Sequence, residues 1–499
     1  MKRLLRRLKR ALSPSGSLTS RTVTNGIWTA VTNASGQLLQ ITLLVVLARL
    51  LSPADFGLYG IATLTLTALQ RFSRLGFDTA LIQRQEENVD PYLDTVFTLQ
   101  ILRGALIAGI TIFGAPLIAT FFAEPRATAI LRAIALVMLL QALYNPGAVY
   151  FEKELKFHKE FAMSFSGAAS RFVVAVGYAI VSPSVWALVA GAVVGNLVQL
   201  VASYVIHDYR PWPRFDRDRA AMLINYGKWI FGESVISFFY TDGDDIFVGR
   251  LLGSASLGLY QVAYRLSNAP ATEIAHTISR VSMPAYSKIQ DDEAALREGF
   301  HRVLQFSSLA SIPMGVGIAV VAPVFVPTFL GDGWGAMVAP MQVLAVFGVL
   351  RSVRTCASPL FRALGQPDYN AKIHAVRLVL MVVTIYPLTQ AYGLVGTALS
   401  VLVTSVVGIP IATVLVLRLI GDDLRSLVAV VAVPVAGSLL MGACALAVRR
   451  AVTATTGPAV SFVATVLTGI AVYGLFLLAA ERRYEIGLQA LLGQFRRSL

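Results

Sequence analysis

The chain has 499 residues, of which 56% are hydrophobic and 14% are charged, and its formal net charge is +14. A soluble protein of this size carries about 25% charged residues, so this composition, with a mean hydropathy of +0.67, excludes an ordinary soluble protein. No basic segment is interleaved with base-stacking aromatic residues, so no nucleic-acid partner is predicted. Apolar runs of about 20 residues recur along the whole chain, which predicts an all-α polytopic membrane protein.

The first 20 residues form a basic segment. Leu4, Leu5, Leu8 and Leu12 can share one face of a helix, with Lys and Arg opposite. No apolar core of signal-peptide length follows directly, so a cleavable signal is not predicted. The pattern predicts a short helix on the membrane surface, in contact with anionic membrane lipids.

Fourteen apolar segments, here called spans 1 to 14, follow this basic segment. They lie at 25–49, 57–81, 95–119, 127–149, 161–181, 184–206, 223–248, 257–284, 300–323, 336–360, 370–389, 393–417, 427–448 and 458–480. The breaks between them carry turn residues, such as Ser52-Pro53 and Gly457-Pro458. The sequence therefore predicts about fourteen transmembrane helices.

Lys and Arg collect in alternate loops, while the other loops are nearly uncharged. Because cytoplasmic loops attract positive residues, this pattern predicts that both termini are cytoplasmic. The two cysteines, Cys356 and Cys444, lie far apart inside apolar segments. No disulfide, metal site or cofactor is predicted from them.

A repeat relates the two halves of the chain. Nine residues around Arg49 recur without a gap 201 positions later, around Arg250, and they include the pairs Gly57/Gly258 and Tyr59/Tyr260. Both copies start inside and run outward, so the halves are predicted to be parallel repeats, as in many transporters. A weaker correspondence relates Arg171 in span 5 to Arg377 in span 11.

The repeat sets the predicted domain limits. An N-lobe covers 21–207 with spans 1–6, a cytoplasmic linker covers 208–222, and a C-lobe covers 223–418 with spans 7–12. Two C-terminal helices at 419–481 and a cytoplasmic tail at 482–499 lie outside the repeat. The predicted architecture is two pseudo-symmetric six-helix lobes plus two helices.

Polar side chains inside the spans are costly in lipid, so they are candidates for function. In span 7 a spacing of four, four and three residues places four of them on one helix face: Glu233, Ser237, Thr241 and Asp244. The repeat-related span 1 carries Gln37 and Gln40 on a similar face, and span 8 carries Glu273. Two interpretations remain open: these residues line a polar cavity, or they join neighbouring helices by hydrogen bonds.

Arginine outnumbers acidic residues deep in the spans. The candidates are Arg71 in span 2, Arg171 in span 5, Arg265 in span 8 and Arg377 in span 11. An ion pair with Asp244 is the structural alternative for Arg265. Three further arginines lie nearer the cytoplasmic interface and are predicted to extend to water: Arg103, Arg351 and Arg354. Guanidinium groups bind phosphate bidentately, so this excess favours an anionic substrate.

Several short stretches, in order, carry a family resemblance. They read LLSPADFGLY at 50–59, LGF at 75–77 with ALIQR at 80–84, WALV at 186–189, DDIFVGRLLG at 244–253, LGLY at 257–260 with AYRL at 263–266, and SRV at 279–281 with PAYSKIQ at 284–290. On these stretches the chain resembles the polysaccharide, or lipid-linked oligosaccharide, flippases of the Wzx/WzxC type. These flippases belong to the multidrug/oligosaccharidyl-lipid/polysaccharide exporter superfamily.

The resemblance implies two lobes around a central cavity and alternating access by rocking of the lobes. It implies an undecaprenyl-diphosphate oligosaccharide as substrate, moved from the inner to the outer leaflet of the bacterial cytoplasmic membrane, without catalysis or a cofactor. On this hypothesis the four deep arginines hold the diphosphate, and Glu233, Asp244 and Glu273 tune the cavity or carry a coupling proton or sodium ion. A polymerase or export complex is a compatible partner.

Three alternatives remain open. A lipid II flippase must bind the same kind of diphosphate and sugar headgroup. A multidrug exporter of the same superfamily prefers an acidic cavity, which the arginine excess disfavours. A membrane polysaccharide polymerase belongs to a different class. Such enzymes carry a large outer loop with the active site, and the outer loops predicted here are short and contain few acids or bases.

Overall fold

In the computed structural model of the protein, residues 35–73, 90–154, 156–453 and 456–484 are described. For residues 90, 91, 152, 217–233, 270, 271, 273–281 and 482–484 the description covers the backbone alone. All regular secondary structure in these ranges is helical, as predicted. The predicted basic segment at 1–20 and most of the predicted tail at 482–499 lie outside the described residues.

Seven α-helices lie in the described part of the first half of the chain. They are α1 (Ser35–Leu50), α2 (Pro53–Phe72), α3 (Asp90–Phe121), α4 (Ala127–Ala142), α5 (Val149–Lys153), α6 (Phe157–Val181) and α7 (Val185–Ile206). A short 3-10 helix (Pro146–Ala148) lies between α4 and α5. The start of α2 is set by its sequence, because Ser52 caps the helix, Pro53 occupies its first turn and Asp55 completes a capping box.

Seven further α-helices lie in the described residues that follow. They are α8 (Arg217–Lys288), α9 (Glu293–Phe325), α10 (Val338–Thr355), α11 (Ala357–Ala363), α12 (Asp368–Ile420), α13 (Leu424–Thr453) and α14 (Pro458–Tyr484). A π-helical turn (Val326–Leu330) and a 3-10 helix (Asp332–Met337) connect α9 to α10.

Two of these helices are double, because a glycine interrupts each of them. Gly253 in α8 has φ 84° and ψ 175°, and Gly393 in α12 has φ 57° and ψ −134°. Glycine adopts positive φ without the steric penalty of a side chain, so each marks a sharp turn between two spans. The first break lies between predicted spans 7 and 8, and the second lies at the first residue of predicted span 12.

The described helices support the membrane class. Nine of them, among the described residues, are long and apolar enough to cross a membrane, and Ser35–Leu50 and Ala127–Ala142 are shorter apolar helices. Each of the fourteen predicted spans overlaps a described helix. The number fourteen itself stays a prediction, since the α8 and α12 segments each contain two predicted spans.

The chain forms two compact units, Met1–Gly258 and Leu259–Leu499. In the first unit α6 packs along α7 and α3 along α4, and α4 also contacts α2 and α7. Small residues allow the α6–α7 approach, because a side chain at Gly191 of α7 would collide with Ala175 of α6. The unit boundary lies after the predicted linker 208–222, and the lobe limits drawn from the repeat remain predictions.

In the second unit α9 packs along α10, α13 and α14, and α10 packs along α12. The two halves of α12 are joined by hydroxyl pairs, with Thr384 to Ser400 at 2.7 Å and Thr389 to Thr397 at 2.9 Å. The first unit thus pairs spans 3–4 and 5–6, and the second unit pairs spans 9–10 and 11–12.

A polar cluster joins the start of α9 to the turn between α12 and α13. The Nη2 atom of Arg297 donates to the carbonyl of Gly421 at 2.6 Å, and the Nε2 atom of His301 lies 2.6 Å from Oδ2 of Asp422. Burial alone would raise the pKa of Asp422, but hydrogen bonds from the Asp423 amide and from His301 outweigh it and lower the pKa. The ionised carboxylate therefore stabilises this turn.

We expect Asp422→Asn to lower the thermal stability of the purified protein at pH 5–7. Because folding lowers the pKa of Asp422, its stabilisation is complete above the unfolded value of about 3.9 and is lost as the pH falls through the folded value. The difference in melting temperature between wild type and Asp422→Asn should therefore shrink in acid. Asp291→Asn, an exposed carboxylate near the start of α9, is the control. A difference that persists unchanged in acid contradicts this role.

Candidate functional site

An ion pair between α2 and the first half of α8 lies at the centre of the polar groups in the first unit. The Nη2 atom of Arg71 is 3.3 Å from Oδ2 of Asp242, and Nη1 of Arg71 is 3.4 Å from the Ser237 hydroxyl. The side chains of Arg71 and Asp242 are 31% and 21% exposed, so the pair borders open space. Phe238 packs beside it against Phe72.

A chain of amide and hydroxyl groups continues from this ion pair across α2, α4 and α7. Gln70, next to Arg71, donates to Gln141 at 3.1 Å, and Gln141 donates to Asn196 at 3.0 Å. The Tyr144 hydroxyl then bonds to Asn196 at 2.9 Å and to Gln199 at 3.2 Å. Such groups both donate and accept hydrogen bonds, as the hydroxyls of a sugar do.

Arg171 joins α6 to α2 in the first unit. Its Nη2 atom donates to the Tyr59 hydroxyl at 2.8 Å. The body of the side chain lies against Gly195 of α7, where an added methyl group would come within 2.8 Å of the Arg171 Cβ. The α7 glycine therefore makes room for the arginine beside the helix.

Arg377 occupies a similar setting in the second unit. Its Nη2 atom donates to the Ser405 hydroxyl at 2.9 Å, and its Cδ lies against Gly408 in the second half of α12. Only 1% of Arg377 is exposed. In this conformation the guanidinium ties the two halves of α12 together and is not accessible to a ligand.

The structure places the remaining predicted site residues as follows. Asp244 is buried at 4% exposure, Arg265 is exposed, Gln37 is half-buried and Gln40 is exposed. The side chains of Glu233 and Glu273 lie outside the described residues. Of the predicted set, Arg71 meets Ser237 on the predicted polar face of span 7. Its ion-pair partner there is Asp242, which the sequence did not single out.

Two repeat-related glycines bring helix backbones into direct contact at the starts of α2 and of the second half of α8. A Cβ atom at Gly57 would lie 1.7 Å from the carbonyl oxygen of Ser254, and one at Gly258 would lie 2.0 Å from the carbonyl oxygen of Pro53. Pro53 and Ser254 are themselves 201 residues apart, as Gly57 and Gly258 are. The contact is therefore reciprocal between the two copies of the repeated motif.

Carboxylates secure the same end of the first unit. Asp55 accepts a hydrogen bond from the amide of Val185 at 3.1 Å, and Glu124 accepts one from the Ser254 hydroxyl at 2.7 Å. Burial alone would raise the pKa of Glu124, but hydrogen bonds from Arg126 and Ser254 outweigh it and lower the pKa. Glu124 therefore stays ionised and ties the α3–α4 turn to the break in α8.

Arg103, which the sequence predicted to extend to water, turns inward instead. Its Nη2 atom donates to the carbonyl of Gln70 at 2.8 Å and its Nε to the Ser73 hydroxyl at 3.0 Å. It thus satisfies the exposed carbonyl end of α2, a position that favours a cation.

Within the described residues no group of three or more His, Cys, Asp or Glu side chains is suited to a metal ion.

Comparison with known proteins agrees with this fold. The profile of the family described as polysaccharide biosynthesis protein matches residues 46–339. The lipopolysaccharide biosynthesis protein WzxC of Escherichia coli (strain K12) is 26% identical over 397 residues, which cover 78% of this chain and 80% of WzxC. The succinoglycan biosynthesis transport protein ExoT of Rhizobium meliloti (strain 1021) is 24% identical over 353 residues, covering 70% of this chain and 71% of ExoT.

A solved structure shows the same fold. The lipid II flippase MurJ, in an inward closed conformation, superposes with a TM-score of 0.73 at 16% sequence identity, covering 91% of this chain and 99% of MurJ. The likeness extends over nearly all of both chains, and the family match covers more than half of this one. The chain therefore belongs to the polysaccharide biosynthesis protein family. This membership agrees with the resemblance that the short sequence motifs show.

Proposed function

We propose that the protein is a flippase that moves a polyprenyl-diphosphate-linked oligosaccharide from the inner to the outer leaflet of the bacterial cytoplasmic membrane. The product serves exopolysaccharide, O-antigen or capsule synthesis. The observation that carries the proposal is the half-open Arg71 guanidinium beside a run of amide side chains on α2, α4 and α7. This arrangement suits a phosphate next to sugar hydroxyls, and the family membership supports it.

Desolvation is the barrier that such a protein removes. Each sugar hydroxyl left without a hydrogen bond in hydrocarbon costs several kcal/mol, and the diphosphate costs more. The amide chain from Gln70 to Gln199 supplies hydrogen bonds to the sugar, while the polyprenyl tail stays in lipid. Arg71 is assigned to the diphosphate, because its side chain is accessible in part. Arg265, in the second unit, keeps this role as a prediction from the sequence.

The other charged residues have different roles in this proposal. Arg171 and Arg377 hold paired helices, in spans 5–6 and 11–12, through their contacts with Gly195 and Gly408. Asp242 balances Arg71 when the site is empty. The predicted acids Glu233, Asp244 and Glu273 tune the cavity or carry a coupling proton or sodium ion.

The reciprocal glycine contact supports alternating access. With both termini in the cytoplasm, the starts of α2 and of the second half of α8 face the outside. Their backbones touch at Gly57 and Gly258, so no substrate passes between them in this conformation. We assign this contact to the outer closure, which opens when the two helices separate.

A lipid II flippase is the second candidate, favoured by the fold shared with MurJ. Both candidates predict a diphosphate site, but they differ in the headgroup. The named relatives WzxC and ExoT, described as biosynthesis proteins of lipopolysaccharide and succinoglycan, favour the oligosaccharide of an exported polysaccharide.

The distribution of lipid-linked oligosaccharide between leaflets tests the proposal in cells that lack the gene. We expect the oligosaccharide to accumulate on the cytoplasmic leaflet, and the wild-type gene to restore export. Unpolymerised units on the outer leaflet contradict the proposal and indicate a polymerase. Normal polymer with loss of viability indicates lipid II instead.

A further inference from the structure

A cavity of about 260 Å³ lies in the second unit between α9, α10, α12 and α13. Its inner wall is apolar and buried, and it includes Leu304, Ala412 and Leu427. Its outer wall includes Leu424 and Val428, which are 58% and 57% exposed. The cavity, here called the α9–α13 groove, therefore opens sideways where lipid surrounds the protein.

Arg354 at the end of α10 is the charged residue among those that line this groove. The sequence predicted that it extends to water, but its Nε atom is buried and has no hydrogen-bond partner among the described residues. A buried guanidinium N–H without an acceptor costs free energy. Arg354 therefore has the capacity to bind an anion that enters the groove.

A second arginine, Arg351, lies near Arg354. The charge of Arg351 acts on it, and Arg351 itself donates to the Tyr264 hydroxyl at 3.3 Å. His374 lies in the field of both Arg354 and Arg362. Within the described part of the chain, none of these three arginines forms an ion pair with a carboxylate. Like charges at short range repel each other, and a bound anion relieves that repulsion.

We propose that the α9–α13 groove binds an anionic phospholipid, with an acyl chain in the groove and the phosphate on Arg354. Apart from Arg354 and Thr413 the lining is apolar, so it offers few hydrogen bonds to the hydroxyls of a sugar headgroup. The apolar wall suits a hydrocarbon chain. In the proposed topology the end of α10 faces the cytoplasmic leaflet, where anionic lipids are attracted to Lys and Arg.

Native mass spectrometry of the full chain, released from nanodiscs of phosphatidylcholine and phosphatidylglycerol, tests this site. We expect wild type to retain phosphatidylglycerol and Arg354→Gln to retain at least about threefold less. Val428→Trp fills the groove without changing any charge, and it should reduce retention to a similar extent. Arg302→Gln removes an exposed arginine of α9 outside the groove and should retain as much as wild type.

Inorganic phosphate separates headgroup binding from lipid binding. If phosphate alone displaces no phosphatidylglycerol and Val428→Trp lowers retention, the acyl chain contributes to binding as proposed. Equal retention by wild type, Arg354→Gln and Val428→Trp overturns the proposal. Should a variant fail to fold, photoactivatable phosphatidylglycerol on wild type decides: labelling of α12 and α13 beside Thr413 and Val428 supports the site, and labelling elsewhere overturns it. Neither result depends on which oligosaccharide the protein moves.

Discussion

The Gly57→Ala variant is expected to lose polysaccharide export by at least about tenfold. Its new methyl group would lie 1.7 Å from the Ser254 carbonyl oxygen, and a backbone atom of a helix cannot turn aside as a side chain can. Overpacking costs about 1–3 kcal/mol, and about 1.4 kcal/mol changes a population tenfold. The outer closure then becomes rare, and the cycle stops in the open conformation. Gly258→Ala should behave alike, because the contact is reciprocal.

Gly177→Ala and Gly109→Ala are matched controls, since a Cβ at either position meets no atom within 4 Å. Both should export normally at wild-type abundance. A cysteine introduced at the outer end of α2, in a background without Cys356 and Cys444, should react with a thiol probe faster in the Gly57→Ala variant than in the protein with Gly57. If Gly57→Ala exports normally while it folds, the glycine contact is not the outer closure.

The second large effect concerns the ion pair of Arg71. We expect Arg71→Ala to reduce export about tenfold to a hundredfold, because a hydrogen bond to a charged group contributes about 1.5–3 kcal/mol. Arg71→Lys should restore only part of the activity, since an ammonium group does not grip a phosphate bidentately. Asp242→Asn should be milder than Arg71→Ala, because it leaves the guanidinium free for the diphosphate. Export per molecule of protein in the membrane is the quantity to compare.

Arg132→Ala provides the control for loss of one arginine, because Arg132 is exposed on α4 and donates to the Ile112 carbonyl, not to the pair. A double variant with the two charges exchanged, Arg71→Asp with Asp242→Arg, separates two roles. If the pair is only structural, Arg71→Ala and Asp242→Asn lose activity equally and the exchange restores it. That pattern would contradict a diphosphate role for Arg71.

The helices followed from sequence because their signals are local. Ser52 and Pro53, which mark the predicted turn before span 2, cap and start α2 four residues before the predicted start of that span. Gly253 lies between predicted spans 7 and 8, and Gly393 is the first residue of predicted span 12. The repeat was visible because it preserves residues at one fixed offset. The boundary between the compact units, at Gly258, was not predicted, because it depends on packing across the fold.

The partners of the charged residues could not be predicted in the same way. Arg71 was singled out, but Asp242, 171 positions away, was passed over in favour of the face that carries Glu233 and Asp244. Helical spacing tells which residues share a face and leaves open which neighbouring helix that face meets. The amide chain through Gln141 and Asn196 was missed for the same reason, since single amides in apolar spans carry no motif.

Depth along a span also proved insufficient for the arginines near the cytoplasmic ends. Arg103 and Arg354 both lie where a long side chain can reach water, yet one caps the carbonyl end of α2 and the other lines the α9–α13 groove. The decision between water and protein depends on the acceptors that neighbouring helices present. Those acceptors come from distant parts of the chain.

Transport by the purified protein tests the central claim most directly. The protein would be placed in liposomes that contain a polyprenyl-diphosphate oligosaccharide with a fluorescent sugar, and access of a membrane-impermeant quencher to each leaflet would be followed over time. We predict that wild type exchanges the lipid between leaflets well above the rate of empty liposomes, and that Arg71→Ala and Gly57→Ala do so at least about tenfold more slowly. Exchange no faster than in empty liposomes, with folded wild-type protein and the cognate oligosaccharide, would contradict the assignment as a flippase.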